Sequence, residues 1–179
     1  KPYLLKLNRQ KEFEDLLTPH VDLLFGYALR MTRNRADADD LLQESIFRAY
    51  RGLDGFERGT NFRAWMFRIV TNTFLSSKRR EQRAPKLVEL PQVQDPEAKE
   101  SEEEFDINTN WDDAYQDAVE DEVKHALDDL PDEFRAPLLL SSLGGLRYKE
   151  IASVLDVPVG TVMSRLFRAR QRLRSSLKD

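Results

Sequence analysis

Apolar residues recur along this chain at helical spacing almost throughout, and strand-type alternation is nearly absent. Phe13, Leu16, Leu17, Leu24, Tyr27, Ala28 and Met31 form a first stripe. Pro19 interrupts it, so a kink or restart is expected near Thr18. A second helix is expected to open near Ala36, where Asp37, Asp39 and Asp40 suit a positive helix N-terminus. Its buried side reads Ala38, Leu41, Leu42, Ser45, Ile46, Ala49 and Leu53, and Gly52 and Gly55 mark its end. After a loop, Asp54–Asn61, Thr60 is the expected N-cap of a third helix running through Arg83. That helix is apolar on more than one side, through Phe62, Trp65, Met66, Phe67, Ile69, Val70 and Phe74, as expected of a helix buried between neighbours.

From Ala84 to about Asn110 the pattern lapses. Pro85, Pro91 and Pro96 precede the run Glu100–Glu104, broken only by Ser101, and the composition reads as a mobile acidic linker. Helical spacing returns near Trp111 with Ala114, Val119, Val123, Ala126, Leu127 and Leu130. A further segment, Asp132–Leu143, is stopped by Gly144 and Gly145. Tyr148, Ile151, Ala152 and Leu155 then share one face of a short helix. Asp156-Val157-Pro158 breaks it, and a longer helix is expected from about Pro158 to Leu177, buried through Val159, Val162, Leu166, Ala169, Leu173 and Leu177. Thr161, Ser164, Arg168, Gln171 and Arg172 are expected to point outward, with Arg165 beside them. A short supporting helix, a sharp turn and a longer helix with short polar and basic side chains facing out is a helix-turn-helix. Such side chains reach base edges and phosphates.

Charge sharpens this picture. The 179 residues carry a formal net charge of -4. The sign alternates along the chain: residues 1–83 are net +5, residues 84–145 net -14 and residues 146–179 net +5. Two basic modules flank an acidic middle, which points to polyanion contacts at both ends. The chain has no Cys and only two His, far apart in sequence, so disulfides, thiolate metal sites and cysteine nucleophiles are excluded and no metal site or cofactor is expected. No apolar run approaches the roughly 18–20 residues of a membrane span, so no membrane insertion is expected. The first residue is Lys, not Met, which leaves the native N-terminus open.

Four segments carry a resemblance: ADADDLLQESIFRAYRGL (Ala36–Leu53), GTNFRAWMFRIVTNTFLSSKRREQR (Gly59–Arg83), LPDEFRAPLLLSSL (Leu130–Leu143) and YKEIASVLDVPVGTVMSRLFRARQRL (Tyr148–Leu173). In order and spacing the chain resembles the extracytoplasmic-function (ECF) sigma factors of the sigma-70 superfamily. The resemblance implies an all-α fold of two small helical domains: region 2 over 1–83, an acidic flexible linker over 84–110, and region 4 with its helix-turn-helix over 111–179. It implies a bacterial transcription initiation factor, cytoplasmic, whose partners are core RNA polymerase, promoter DNA and an anti-sigma factor. MTRN (Met31–Asn34), TNTF (Thr71–Phe74) and GTVMSRL (Gly160–Leu166) look most like a stress-response branch.

Site roles follow from the same resemblance. Asp40, Gln43, Glu44, Phe47 and Arg51 lie opposite the buried stripe of the second helix and are the expected polymerase contact; a large apolar Phe47 on a polar face suits a partner surface. Phe56, Asn61 and Asn72 are candidates for the flipped base of the -10 element, whose extrusion costs a few kcal/mol that a protein pocket must offset. Lys78, Arg79, Arg80 and Arg83 are candidates for upstream phosphates. Trp65 and Phe62 are assigned to the core. Pro158, Thr161, Ser164, Arg165, Arg168 and Arg172 are the candidates for the -35 element. No carboxylate pair, activated nucleophile or phosphate-cradling Gly loop occurs in the sequence, so no intrinsic catalysis is expected. A free-standing repressor or activator would leave residues 9–83 and their basic tip unexplained. A sigma mimic that only sequesters an anti-sigma factor would have no need of Lys78–Arg83, Arg165, Arg168 and Arg172.

Overall fold

A computed structural model describes residues 2–83 and 113–178, with side chains from 6 to 83 and from 121 to 178. Among the described residues there are eight α-helices and no strand, in the order α1 (Pro2–Leu17), α2 (Val21–Thr32), α3 (Arg35–Arg51), α4 (Phe62–Arg83), α5 (Asp113–Asp128), α6 (Asp132–Ser142), α7 (Tyr148–Leu155) and α8 (Val159–Ser176). The chain divides into two compact units, Lys1–Ala84 and Pro85–Asp179. The linker expected over 84–110, and Trp111 beyond it, lie outside the described residues.

In the first unit α2, α3 and α4 pack on one another. The break expected at Pro19 is a 3-10 turn, Thr18–His20, between α1 and α2. Arg33 closes α2 in the left-handed region at φ 60, and its N–H returns to the Leu29 carbonyl at 2.8 Å. Asn34 then caps α3, its Oδ1 accepting the Asp37 N–H at 3.0 Å; α3 thus begins at Arg35, one residue before the expected start. Met31, Ala38, Leu41, Leu42, Ala49, Leu53, Met66, Phe67, Val70 and Phe74 fill the interior. Within it the Tyr27 hydroxyl donates to Thr71 Oγ1 at 2.8 Å, and that hydroxyl donates to the Phe67 carbonyl at 2.7 Å. Polar groups enter this core with partners, as burial demands.

Thr60 does not cap α4, contrary to the expectation from sequence. Its hydroxyl turns back to the Glu57 carbonyl. Asn61 is the cap instead, its Oδ1 accepting the Ala64 N–H at 3.1 Å, so the residue next to α4 satisfies the first turn.

In the second unit α6 and α7 pack on α8, and α5 closes against it. Leu127, Leu130, Phe134, Leu138, Leu139, Leu140, Ile151, Val154, Val162, Leu166 and Leu173 are buried. Gly144 ends α6 where a Cβ would meet the Leu140 carbonyl oxygen at 2.5 Å, and Gly145 follows at φ +59; only glycine fits so close an approach. The Arg147 N–H donates to the Glu150 carboxylate at 2.8 Å and fixes the start of α7. Asp156, at φ 54, reverses the chain, a conformation that Asp tolerates better than most residues. Pro158 in extended conformation precedes α8 as its N-cap residue, so the helix opens at Val159 rather than at Pro158 itself. Leu177, expected on the buried face, is exposed just beyond the end of α8.

Candidate functional site

Three surfaces gather the residues singled out by sequence, two on the first unit and one on the second. The first is the outer side of α3. Its inner side is occupied by Ala38, Leu41, Leu42, Ser45 and Ala49, so helical geometry turns Asp40, Gln43, Glu44, Phe47 and Arg51 outward, and all five are exposed. Phe47 is 56% exposed. The Arg51 guanidinium lies 5.6 Å from the centre of its ring, and Glu44 pairs with Arg48 at 2.7 Å. The surface is therefore a solvent-facing aromatic ring rimmed by charges.

The second surface is formed by the loop before α4 and by α4 itself. Leu53–Gly55 is a 3-10 turn. Phe56 is only 5% exposed; its ring lies 5.2 Å from Phe62 and 5.1 Å from Trp65, with Phe62 and Trp65 5.6 Å apart. The burial of Phe56 comes from this cluster, so its ring is a support under the loop and is not open to a base as the molecule stands. Phe62 is buried, matching its assignment to the core, whereas Trp65, assigned there too, is only half-buried against Phe56 and Phe62. Asn61 serves the helix cap, while Asn72 is exposed on α4. At the basic end, Arg79, Arg80 and Arg83 are exposed. Lys78 is half-buried, 3.6 Å from Glu81 and 5.7 Å from the centre of the Phe74 ring, so it is the least available of the four cations.

His20 sits beside this cluster, its ring 6.1 Å from Phe62. Burial pushes its imidazole below the ordinary value, and the nearby Arg63 adds to the effect, because both disfavour a second positive charge.

The third surface is the outer side of α8. Val162, Leu166, Ala169 and Leu173 face inward, as expected. Ser164, expected outward, is 7% exposed, and its hydroxyl donates to the Thr161 carbonyl at 3.1 Å. Ser164 lies nearly opposite Val162 around α8, so its low exposure does not come from the core stripe; its hydroxyl folds back on its own helix. Thr161, Arg165 and Arg168 are half-buried. Arg172 stacks over Phe134, 4.7 Å from the ring centre, a cation–π contact that holds it against α6. What α8 offers most openly is a stripe the sequence analysis did not mark: Gly160, Met163, Phe167, Gln171 and Arg174, with Phe167 51% exposed. Its signal was present, since Met163 and Phe167 form an i, i+4 apolar pair off the buried stripe, the same anomaly that singled out Phe47.

Arg135 is a second omission. It is 0% exposed, in α6. Its guanidinium donates to the carbonyls of Asp128 at 3.2 Å and Leu130 at 3.1 Å and to the Asp132 carboxylate, tying the end of α5 to the start of α6. Asp132, three residues before an Arg flanked by apolar Phe134 and Ala136, was the available sign of a paired buried charge.

Among the described residues no group of three His, Asp or Glu could hold a metal ion, and no helix is long and apolar enough to cross a membrane.

Comparison with known proteins agrees with this geometry. A family model for sigma-70 region 2 matches residues 16–84, and one for sigma-70 region 4 matches residues 120–173. The chain is 37% identical to the ECF RNA polymerase sigma factor SigE of Mycolicibacterium smegmatis over 92% of its own length and 61% of that protein's. It is 31% identical to the RNA polymerase sigma-H factor of Pseudomonas aeruginosa over 94% of its length and 88% of that protein's. Among solved structures it resembles the sigma factor RpoE from Bartonella quintana, in complex with the anti-sigma factor NepR, with a TM-score of 0.68 and 26% identity over 94% of this chain and 98% of that one. It also resembles CnrH in complex with the cytosolic domain of CnrY, with a TM-score of 0.64 and 25% identity over 94% of this chain and 89% of that one. With region 2 carrying the exposed ring of α3 and the basic end of α4, and region 4 carrying the helix-turn-helix, the chain belongs to the ECF sigma factors of the sigma-70 family.

Proposed function

We propose that this chain acts as an alternative sigma factor, directing core RNA polymerase to specific promoters and helping to open the -10 element. Residues 1–83 work as region 2, residues 84–110 as an acidic linker and residues 111–179 as region 4. The observation that carries the reading is the conjunction, in one chain, of an outward aromatic ring on α3, a cationic end on α4 and a helix-turn-helix whose second helix is open on one side.

Asp40, Gln43, Glu44, Phe47 and Arg51 form the polymerase contact. Arg79, Arg80 and Arg83, with Lys78 behind them, hold phosphates and so contribute affinity without sequence preference. The Leu53–Asn61 loop and Asn72 meet the unpaired -10 strand, with Phe56 as the support beneath. On α8, Met163 and Phe167 present apolar groups suited to thymine methyls, and Thr161, Arg165 and Arg168 flank them for base edges and phosphates. Pro158 sets the entry of α8, and Ser164 and Arg172 stabilise its placement. The factor supplies recognition and strand opening and is not itself an enzyme; nucleotide addition is the polymerase's. It works in the bacterial cytoplasm, without membrane insertion of its own. The solved relatives bound to NepR and CnrY support an anti-sigma partner for this chain too, one that covers the same surfaces when the factor is off.

Run-off transcription with core polymerase on a genomic library tests the reading. Discrete transcripts sharing two spaced upstream elements are expected. Transcription no more selective than that of core polymerase alone would overturn it.

A further inference from the structure

We infer that α1 is a clasp that sets the position of the Leu53–Asn61 loop, with Arg9 and Glu12 as its positioning residues; the inference rests on the reading that this loop meets the unpaired strand. Positions 9, 12, 13 and 16 share one side of a helix. Phe13 anchors that side: it is buried, 5.5 Å from the Tyr50 ring and 6.3 Å from the Phe62 ring. The two charged residues flanking it reach the loop at separate points. The Arg9 guanidinium donates to the Tyr50 carbonyl at 3.0 Å, lies 5.4 Å from the centre of the Tyr50 ring and sits 3.2 Å from the Asp54 carboxylate. Glu12 accepts two bonds from Arg58, at 2.6 and 3.1 Å, the fork geometry that fixes direction as well as distance. Each charge reinforces the other: Arg58 holds the Glu12 carboxyl below the usual carboxylate range, and Glu12 raises Arg58.

The loop has little else to fix its outer part. Its own backbone bonds span three residues: Gly55 to Gly52 at 2.9 Å, Phe56 to Leu53 at 3.0 Å and Thr60 to Glu57 at 3.2 Å. Glu57, Arg58, Gly59 and Thr60 are all exposed, and Gly59 adopts φ +88. Phe56 holds the base of the loop from below, and the Glu12–Arg58 fork holds the tip from the side. A loop already in place does not have to be ordered when it meets the strand, and that saving appears as affinity. The match to sigma-70 region 2 begins at residue 16, so Arg9 and Glu12 lie before the matched segment and supplement it.

The experiment uses holoenzyme reconstituted with core polymerase, and two promoter probes. One is a fork with the -10 nontemplate strand unpaired. The other ends upstream of the -10 element. Glu12→Arg is expected to weaken fork binding about fivefold, the upper range for one exposed ion pair, and Arg9→Ala by less. Binding of the truncated probe and of core polymerase should not change. The exchange Glu12→Arg with Arg58→Glu should restore fork binding to within about twofold of the parent, again judged against the modest scale of an exposed pair. Should Glu12→Arg unfold the first unit, as a lost thermal transition would reveal, Glu12→Gln takes its place with a smaller expected loss. Fork binding unchanged in both Glu12 variants would overturn the clasp. So would failure of the exchange to restore, since Arg58 would then be touching DNA itself. Asn61→Asp, which keeps the helix cap while losing the amide donor, separates the layers of the argument. If it weakens fork binding and the Glu12 variants do not, the loop reading stands and the clasp falls; if neither weakens it, both fall.

Discussion

The interior of the first unit sets several rings among its aliphatic side chains, and that of the second is built on aliphatic chains with one ring and one guanidinium. Phe13, Tyr27, Phe56, Phe62, Phe67 and Phe74 are buried in the first; in the second, Phe134 stands among Leu, Ile, Val and Ala residues, with Arg135 fully enclosed. The rings of the first unit meet edge to face or tilted, as at Phe13–Tyr50, Tyr27–Phe67 and Phe56–Phe62. Such contacts have preferred geometries that aliphatic contacts lack, so they fix the seating of a loop that has few backbone bonds of its own. The second unit fixes its connections differently. Arg135 captures the carbonyls of Asp128 and Leu130, and Gly144 lets the backbone turn tightly after α6. The difference teaches where each unit is fragile: the first in packing, the second in a single hydrogen-bonded charge.

The largest effect should come from removing a ring under the loop. Phe56→Ala is expected to destabilise the first unit by about 3–4 kcal/mol, seen as an early transition in chemical denaturation. Phe56→Leu should keep most of that stability, and it should also keep fork binding if the ring is a support. Loss of fork binding with stability intact would make Phe56 a direct base contact instead.

Arg135→Ala is the matching break in the second unit. It strands two carbonyls and the Asp132 carboxylate, at a cost of about 3 kcal/mol. Loss of -35 binding together with an early unfolding transition is the expected result. A variant as stable as the parent would show that the guanidinium is not what joins α5 to α6.

A smaller effect on stability, but a specific one on binding, is expected at the open faces. Phe167→Ala should leave stability within about 0.5 kcal/mol of the parent, as for an exposed side chain, yet weaken promoter binding at one -35 position. Arg79→Ala with Arg80→Ala should weaken all promoters alike and reduce the slope of the logarithm of affinity against that of salt by up to about 1.8, at roughly 0.9 for each duplex phosphate contact. Equal loss on every sequence from Phe167→Ala would remove it from base reading.

The smallest effect is a pH dependence confined to the first unit. His20 has its folded-state value below the unfolded one, so near and below pH 6.5 the unfolded chain binds more protons than the folded one. Stability should therefore fall as pH drops through about 6.5 and level off below the depressed folded value. His20→Gln should flatten this step in thermal unfolding measured from pH 7.5 to 5. An unchanged profile would mean that another group titrates there.

The helix order was legible because each helix has one dominant apolar stripe and a marked end. Pro19, Gly52 and the Gly144-Gly145 pair stand where the structure breaks its helices. Phe47 was legible as exposed because one α3 stripe accounts for the whole of its inner face. The same logic misread Ser164, which lies off the core stripe yet is buried, its short side chain bonded back to the Thr161 carbonyl of its own helix. The cap of α4 was expected at Thr60 and stands one residue later at Asn61, since both are competent caps and only the path of the chain decides which meets the free N–H groups.

The sequence by itself determined that this is an all-α chain with two basic modules and a helix-turn-helix, since period, turn residues and charge sign are local properties. Only the tertiary structure decided that Arg9 and Glu12 of α1 meet the loop before α4, that Phe56 lies beneath it and that Arg135 is enclosed. Those facts depend on contacts between segments up to 46 residues apart, as for Glu12 and Arg58, and periodicity along one helix carries no information about which neighbour will cover it.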